Sequence, residues 1–161
     1  MKNRNEILAV LRKEYEGAEI ALDFGDNWQL LVAVVLSAQC TDKRVNMVTP
    51  PLFKRFPGVR DFAECDLEEL EQLIYSTGFY RAKARNIRSA AVRVVEEFGG
   101  KVPDSMEELL SLGGVARKTA NVILHTAFGK FEGITVDTHV ARISGKLGFL
   151  SKKLADGKMA G

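Results

Sequence analysis

Lys118 is the residue whose neighbours best equip it for covalent chemistry. It lies in the run LGGVARKTANVIL (112–124), where Gly113 and Gly114 close one helical segment and a second begins within two or three residues. An ammonium in that first turn meets the positive end of the helix dipole and the guanidinium of Arg117. Both favour the neutral amine that a nucleophile needs. Helical spacing sets Lys118 and His125 on one face, roughly opposite Ile123 and Leu124, so the lysine should point away from the core. Asp137, in GITVDTHV (133–140), is the candidate partner, an acid placed where an apolar approach ends and a helix starts. There it can act as an N-cap. A carboxylate held by backbone N–H groups stays ionised and fixed, ready to take a proton or stabilise positive charge. A solvated lysine and a plain cap would give the same two patterns singly, so the pair carries more than either member.

The glycine tip between the two helical segments is the next feature able to bind something. Glycines let backbone approach a ligand closely, and the N–H groups that open a helix have no partners within it. The backbone of Gly113, Gly114, Val115 and Ala116 therefore suits a phosphate, with Arg117 and Thr119 as supplementary donors. An ordinary antiparallel helix connection would also end in glycine. Charge distribution adds a second cationic surface. Six acids fall between Asp61 and Glu71, whereas residues 81–95 hold Arg81, Lys83, Arg85, Arg88 and Arg93 without an acid. Arg81, Arg85 and Arg88 share a helical face, a stripe able to follow a phosphate backbone or simply to be solvated.

The elements that position these residues read as helices, with no sustained period-two alternation to call for a strand. An all-α fold is expected. A first amphipathic helix runs from Asn3 to Glu14. A second, from Asn27 to Gln39, contains Leu30 to Leu36, apolar on every face, and should be central and buried. Pro50-Pro51 and Pro57-Gly58 are read as breaks. Asp66, followed by Glu69, caps a helix toward Tyr75 that Gly78 closes. Further helices are expected over 81–98, from Ser105 through Leu110 with Glu108 completing a capping box, and over 138–147.

Composition limits the classes available. A chain of 161 residues, 46% apolar and 27% charged, fits one domain or two small lobes sharing a core. The run Leu30 to Leu36 is too short to cross a bilayer, and MKNRNE lacks a secretory apolar core, so a soluble, cytoplasmic protein with no membrane partner is expected. Cys40 and Cys65 are the two cysteines. They exclude a disulfide framework and cannot by themselves hold an iron–sulfur cluster. A net charge of +2 is too small to identify a partner.

Four segments together resemble the endonuclease III family of helix-hairpin-helix DNA glycosylases and abasic-site lyases: LSAQCTD (36–42), GFYRAKARNI (78–87), LGGVARKTANVIL (112–124) and VDTHV (136–140). They stand in the family's order and at about its spacing, covering roughly residues 5–150. The resemblance implies a helix-hairpin-helix glycosylase fold, with a helical domain over 21–137 whose hairpin spans 105–128. Residues 1–20 and 138–161 would then belong to an incomplete second lobe. It implies base-excision repair of double-stranded DNA carrying a damaged base or abasic site, with oxidised pyrimidines as substrates, by a monomer in a bacterial or archaeal cytosol. Lys118 would attack C1′ and form a Schiff base, followed by strand elimination. Asp137 would assist it. Gln39 and Phe79 match residues that fill the gap or wedge the stack when a nucleotide is flipped out, while Arg81 and Lys83 would lie along the DNA.

Departures from the family accompany the match. Phe79 stands where leucine is commoner, Gly113 replaces the usual proline and Ala116 the usual second glycine. An alanine held left-handed at 116 would cost on the order of 1 kcal/mol. Family members also continue past the last helix into a segment carrying four cysteines for a four-iron four-sulfur cluster. None of those ligands is in this sequence, which points to a truncated portion of a longer enzyme or a shortened relative. A catalytically inactive hairpin module that binds DNA, and an interaction protein using the basic stripe, are the alternative readings.

Overall fold

The computed structural model describes residues 4–133, 135, 136 and 138–149. Among them all regular structure is helical: α1 (Arg4–Glu14), α2 (Asn27–Ser37), α3 (Asp42–Arg55), α4 (Val59–Glu64), α5 (Leu67–Ile74), a 3-10 turn (Tyr75–Thr77), α6 (Tyr80–Glu97), α7 (Met106–Leu110), α8 (Arg117–Phe128) and α9 (Thr138–Lys146). None of these helices is long and apolar enough to cross a membrane. The chain divides into two compact units. Ala21–Gly133 form one, and the described residues on either side of it form the other.

In the larger unit α2 is the core. Asp26 caps it by accepting from the Gln29 N–H at 2.8 Å, and Gln29 accepts in turn from Gly25 N–H at 2.8 Å. Every residue from Leu30 to Leu36 is buried, as is Trp28, and helices α3, α6 and α8 pack against this surface. Each such Leu or Val contributes about 1.5–3 kcal/mol relative to exposure, which outweighs the modest helix propensity of a valine-rich run. Beneath Trp28 lies an aromatic cluster. Phe62, fully buried, meets Trp28 edge-on at 5.6 Å between centroids, Phe56 at 5.3 Å and Phe53 at 6.5 Å. This joins α2, α3 and the short α4.

Two expectations are corrected here. Pro50 and Pro51 do not break the chain; they lie inside α3. A proline there leaves the carbonyls of Asn46 and Met47 without their usual i+4 donors. That loss is tolerated because Val45, Val48, Thr49 and Leu52 on the opposite face are buried, and Met47 is open to solvent. The Asn46 side chain is also engaged elsewhere, donating to Ala21 O and accepting from Asp23 N–H. The second correction concerns charge. The acids of 61–71 and the bases of 81–95 are separate in sequence but adjacent in space, since α4 and α5 both pack along α6.

Helix caps follow the expected residues. Asp66 accepts from Glu69 N–H, and Ser105 from Glu108 N–H. The Glu69 carboxylate does not turn back to its cap, however; it binds Arg55 through two hydrogen bonds. In the smaller unit Arg4 donates to Gly148 O at 3.2 Å, and no residue of α1 or α9 is buried.

The Phe62 cluster is the sharpest test of this packing. Phe62→Ala should lower unfolding free energy by about 3–5 kcal/mol, read from the urea midpoint at unchanged slope.

Candidate functional site

The 105–128 hairpin is formed by α7 and α8, whose connecting turn is fixed by burial at both ends. Leu112 and Val115 enter the core and Val115 N–H donates to Leu112 O at 3.2 Å, which leaves Gly113 and Gly114 to make the bend between them. Gly114 is left-handed at φ +77°. The glycines have a second reason to be there, not visible in the sequence. A Cβ on Gly113 would sit 2.8 Å from the Asn86 carbonyl oxygen, and one on Gly114 would sit 3.0 Å from the Asn86 Cβ. The tip is thus laid directly on α6. One further contact holds it, from the Arg93 guanidinium to Ser111 O at 2.9 Å.

Ala116 is the N-cap of α8 with φ −89° and ψ 170°, ordinary extended backbone. The expected cost of a left-handed alanine is therefore absent, because the left-handed residue of the turn is Gly114. Ala116 offers no side-chain acceptor to the start of α8. Ala116, Arg117 and Lys118 are exposed and Thr119 is half-buried, so this helix start is presented outward while Ala120, Ile123 and Leu124 pack inward. Lys118 and His125 share the outward face. His125 stacks on Phe131 at 4.4 Å between centroids, and Phe131 is itself exposed. Asn121, on the same side of α8, is a residue the sequence reading missed. Its Oδ1 is buried without a hydrogen-bond partner, an unmet acceptor of the kind that costs about 1–3 kcal/mol. Asp137 lies outside the described residues.

Gln39 and Phe79 stand apart from all other described residues. They are the two non-glycine positions of positive φ, at +52° and +50°. Gln39 follows the end of α2, and Phe79 is the N-cap of α6 with 67% of its surface exposed. A large side chain held left-handed costs about 1–2 kcal/mol and here presents an apolar ring to solvent. Neither feature helps the fold.

Lys83 is not a surface cation, in contrast to its expected place along DNA. It is 5% exposed, and its Nζ donates to Leu36 O and Thr77 O, both at 2.8 Å. Burial pushes its ammonium below the ordinary lysine value, with Cys40 acting in the opposite sense. Spacing could have revealed this, since Lys83 falls on the stripe of Ile87, Ala90 and Val94, all buried. Arg81, Arg85 and Arg88 are exposed as expected, but Arg81 lies 3.9 Å from Glu71 and over the ring of Tyr80.

Among the described residues no group of His, Cys, Asp and Glu converges on a metal site. Cys40 is half-buried and Cys65 buried, and both are free thiols. Two thiols do not meet the four-thiolate requirement of the cluster that the resemblance implies.

The all-helical unit, with a glycine-tipped hairpin set beside a protruding lysine, has the architecture of a helix-hairpin-helix repair protein. Residues 32–160 match the HhH-GPD superfamily of base excision DNA repair proteins. Endonuclease III of Synechocystis sp. is 59% identical over 143 residues, which are 89% of this chain and 65% of that protein. A solved non-covalent endonuclease III–DNA complex superposes with a TM-score of 0.86 at 43% identity, covering 98% of this chain and 76% of that one. A trapped endonuclease III–DNA covalent intermediate superposes with a TM-score of 0.85 at 45% identity, covering 93% and 71%. The chain belongs to the endonuclease III family, and it spans about two thirds of the length of the Synechocystis relative.

Two substitutions separate the structural from the functional demands on this surface. Gly113→Ala forces a methyl against the Asn86 carbonyl and should destabilise the larger unit by about 1–3 kcal/mol in chemical denaturation. Phe79→Gly should do the reverse. Glycine accepts the left-handed backbone freely, so unfolding free energy should rise by up to about 1 kcal/mol, and a fall would remove the inference of strain.

Proposed function

We propose that the protein is a DNA N-glycosylase and abasic-site lyase that acts on duplex DNA bearing an oxidised pyrimidine. The observation that carries this reading is the exposed Lys118, one turn behind a glycine hairpin tip that leads into an exposed helix start, in a chain similar to an endonuclease III trapped covalently on DNA.

In this reading the backbone of Gly113 to Ala116 holds a phosphate, supplemented by Arg117 and Thr119, and so grips the duplex without reading its sequence. Gln39 and Phe79 enter the stack as the damaged nucleotide turns outward. Their exposure and strained backbone support that role. Arg81 lies near enough to Phe79 in sequence to meet the flanking backbone. Lys118 Nζ then attacks C1′, the bond from C1′ to the base breaks, and the base leaves with its electron pair. Asp137 accepts the proton released by the amine and stabilises positive charge on the sugar. Cleavage of the C1′–O4′ bond opens the sugar ring, O4′ taking up a proton, and leaves an iminium that acidifies C2′; loss of a C2′ proton and cleavage of the C3′–O bond cut the strand, and water releases the enzyme. No step passes through a metal cluster. The second unit, with α1 and α9, is assigned to the second lobe, and the protein is assigned to the cytosol as a monomer.

Sodium borohydride with duplex DNA containing an abasic site tests the proposal, since reduction of a Schiff base leaves protein joined to DNA. Lys118→Gln should abolish that adduct while leaving salt-sensitive duplex affinity largely intact. Asp137→Asn keeps a side-chain acceptor but removes the charge, and should slow base excision by about two orders of magnitude at near-normal melting temperature. Trapping by Lys118→Gln at the unsubstituted rate would overturn the assignment of the nucleophile.

A further inference from the structure

A lysine buried without a carboxylate beside it is costly, and Lys83 has none paired with it among the described residues. Its partners explain why it is tolerated. Leu36 is in the last turn of α2, where carbonyls have no donors within the helix and the dipole is negative, so an ammonium satisfies both conditions at once. Thr77 ends the 3-10 turn and is itself buried, its hydroxyl donating to Ile74 O at 2.8 Å. Lys83 is rooted in α6 one turn beyond Phe79, whose carbonyl accepts the Lys83 N–H at 3.0 Å. One ammonium therefore joins three chain segments.

What those segments carry gives the contact its meaning. Gln39 lies three residues past Leu36, and Phe79 two residues past Thr77. These are the two strained non-glycine residues of the described chain. We propose that Lys83 is a positioning residue, which pins the end of α2 to the 3-10 turn and so fixes the spacing at which Gln39 and Phe79 are offered to a DNA duplex. The proposal rests on the reading of those two side chains as the ones that enter the stack. Without the clamp, two turns held away from their preferred backbone would relax independently. An insertion that needs both residues would then lose its register, and misplacement on the ångström scale is enough to forfeit it. An apolar side chain of similar length would fill the space but hold neither carbonyl.

Fluorescence provides the test. A duplex carries a tetrahydrofuran abasic analogue with 2-aminopurine as the opposing base, whose emission reports disruption of the stack. Protein is added until anisotropy of a separately labelled copy shows saturated binding. The unsubstituted protein should change the emission, and the double variant Gln39→Ala, Phe79→Ala should lose that change. Lys83→Met should also lose most of it at saturation. A role in stability alone would lower the melting temperature and leave the saturated signal intact. If Lys83→Met fails to fold, Lys83→Gln decides the matter, since its amide can reach one carbonyl but not both. Retention of the signal by the double variant would remove the insertion reading and this proposal with it. Loss in the double variant with a full signal from the folded Lys83 variant overturns the clamp alone.

Discussion

The larger unit depends on close approaches to α6 at successive turns. The hairpin tip comes so near to Asn86 that no side chain fits at Gly113, and Arg93, two turns further on, holds the end of α7. One turn earlier Lys83 binds the end of α2 and the 3-10 turn. Between these contacts the helix buries Ala84, Ile87, Ala90, Ala91 and Val94, small or branched residues that let neighbours come near. Protein interiors are dense enough that such a helix transmits position rather than absorbing it. The glycine turn and the two strained residues, Gln39 and Phe79, are thereby referred to one rigid rod.

The electrostatics of the surface follow from the same rod. The basic residues of α6 do not form an isolated positive band, because the acidic α5 lies alongside and Glu71 approaches Arg81. In the proposed function each phosphate neutralised adds to affinity and to its salt dependence, so the acids of α5 moderate both. In that reading the phosphate is held instead by uncharged backbone at the start of α8.

Much of this was legible in the residues themselves. The all-round apolar run announced α2 as the core, and Asp66 and Ser105 announced the starts of α5 and α7. The glycine pair announced the bend after α7. Other features were not legible, for physical reasons. Proline is a local signal against helix, and nothing near Pro50 and Pro51 in sequence reveals the buried face of α3 that overrides it. The short α4 has too few residues to show a period. Lys83 was misread because residue type outweighed position; its place on the apolar stripe of α6 was the better guide. The positive φ of Gln39 and Phe79 has no signature in residue type, since neither is a residue that favours left-handed backbone. At 116 the family comparison misled, because glycine's absence there suggested strain where the backbone is extended.

The all-round apolar surface of α2 has a consequence for synthesis. One of its faces is covered by α8, whose buried Ala120, Ile123 and Leu124 lie nearly ninety positions downstream. At a translation rate of about 5–20 residues per second, the nascent chain carries an uncovered α2 for on the order of ten seconds. The segment that will become the heart of the unit is, for that interval, its most adhesive part.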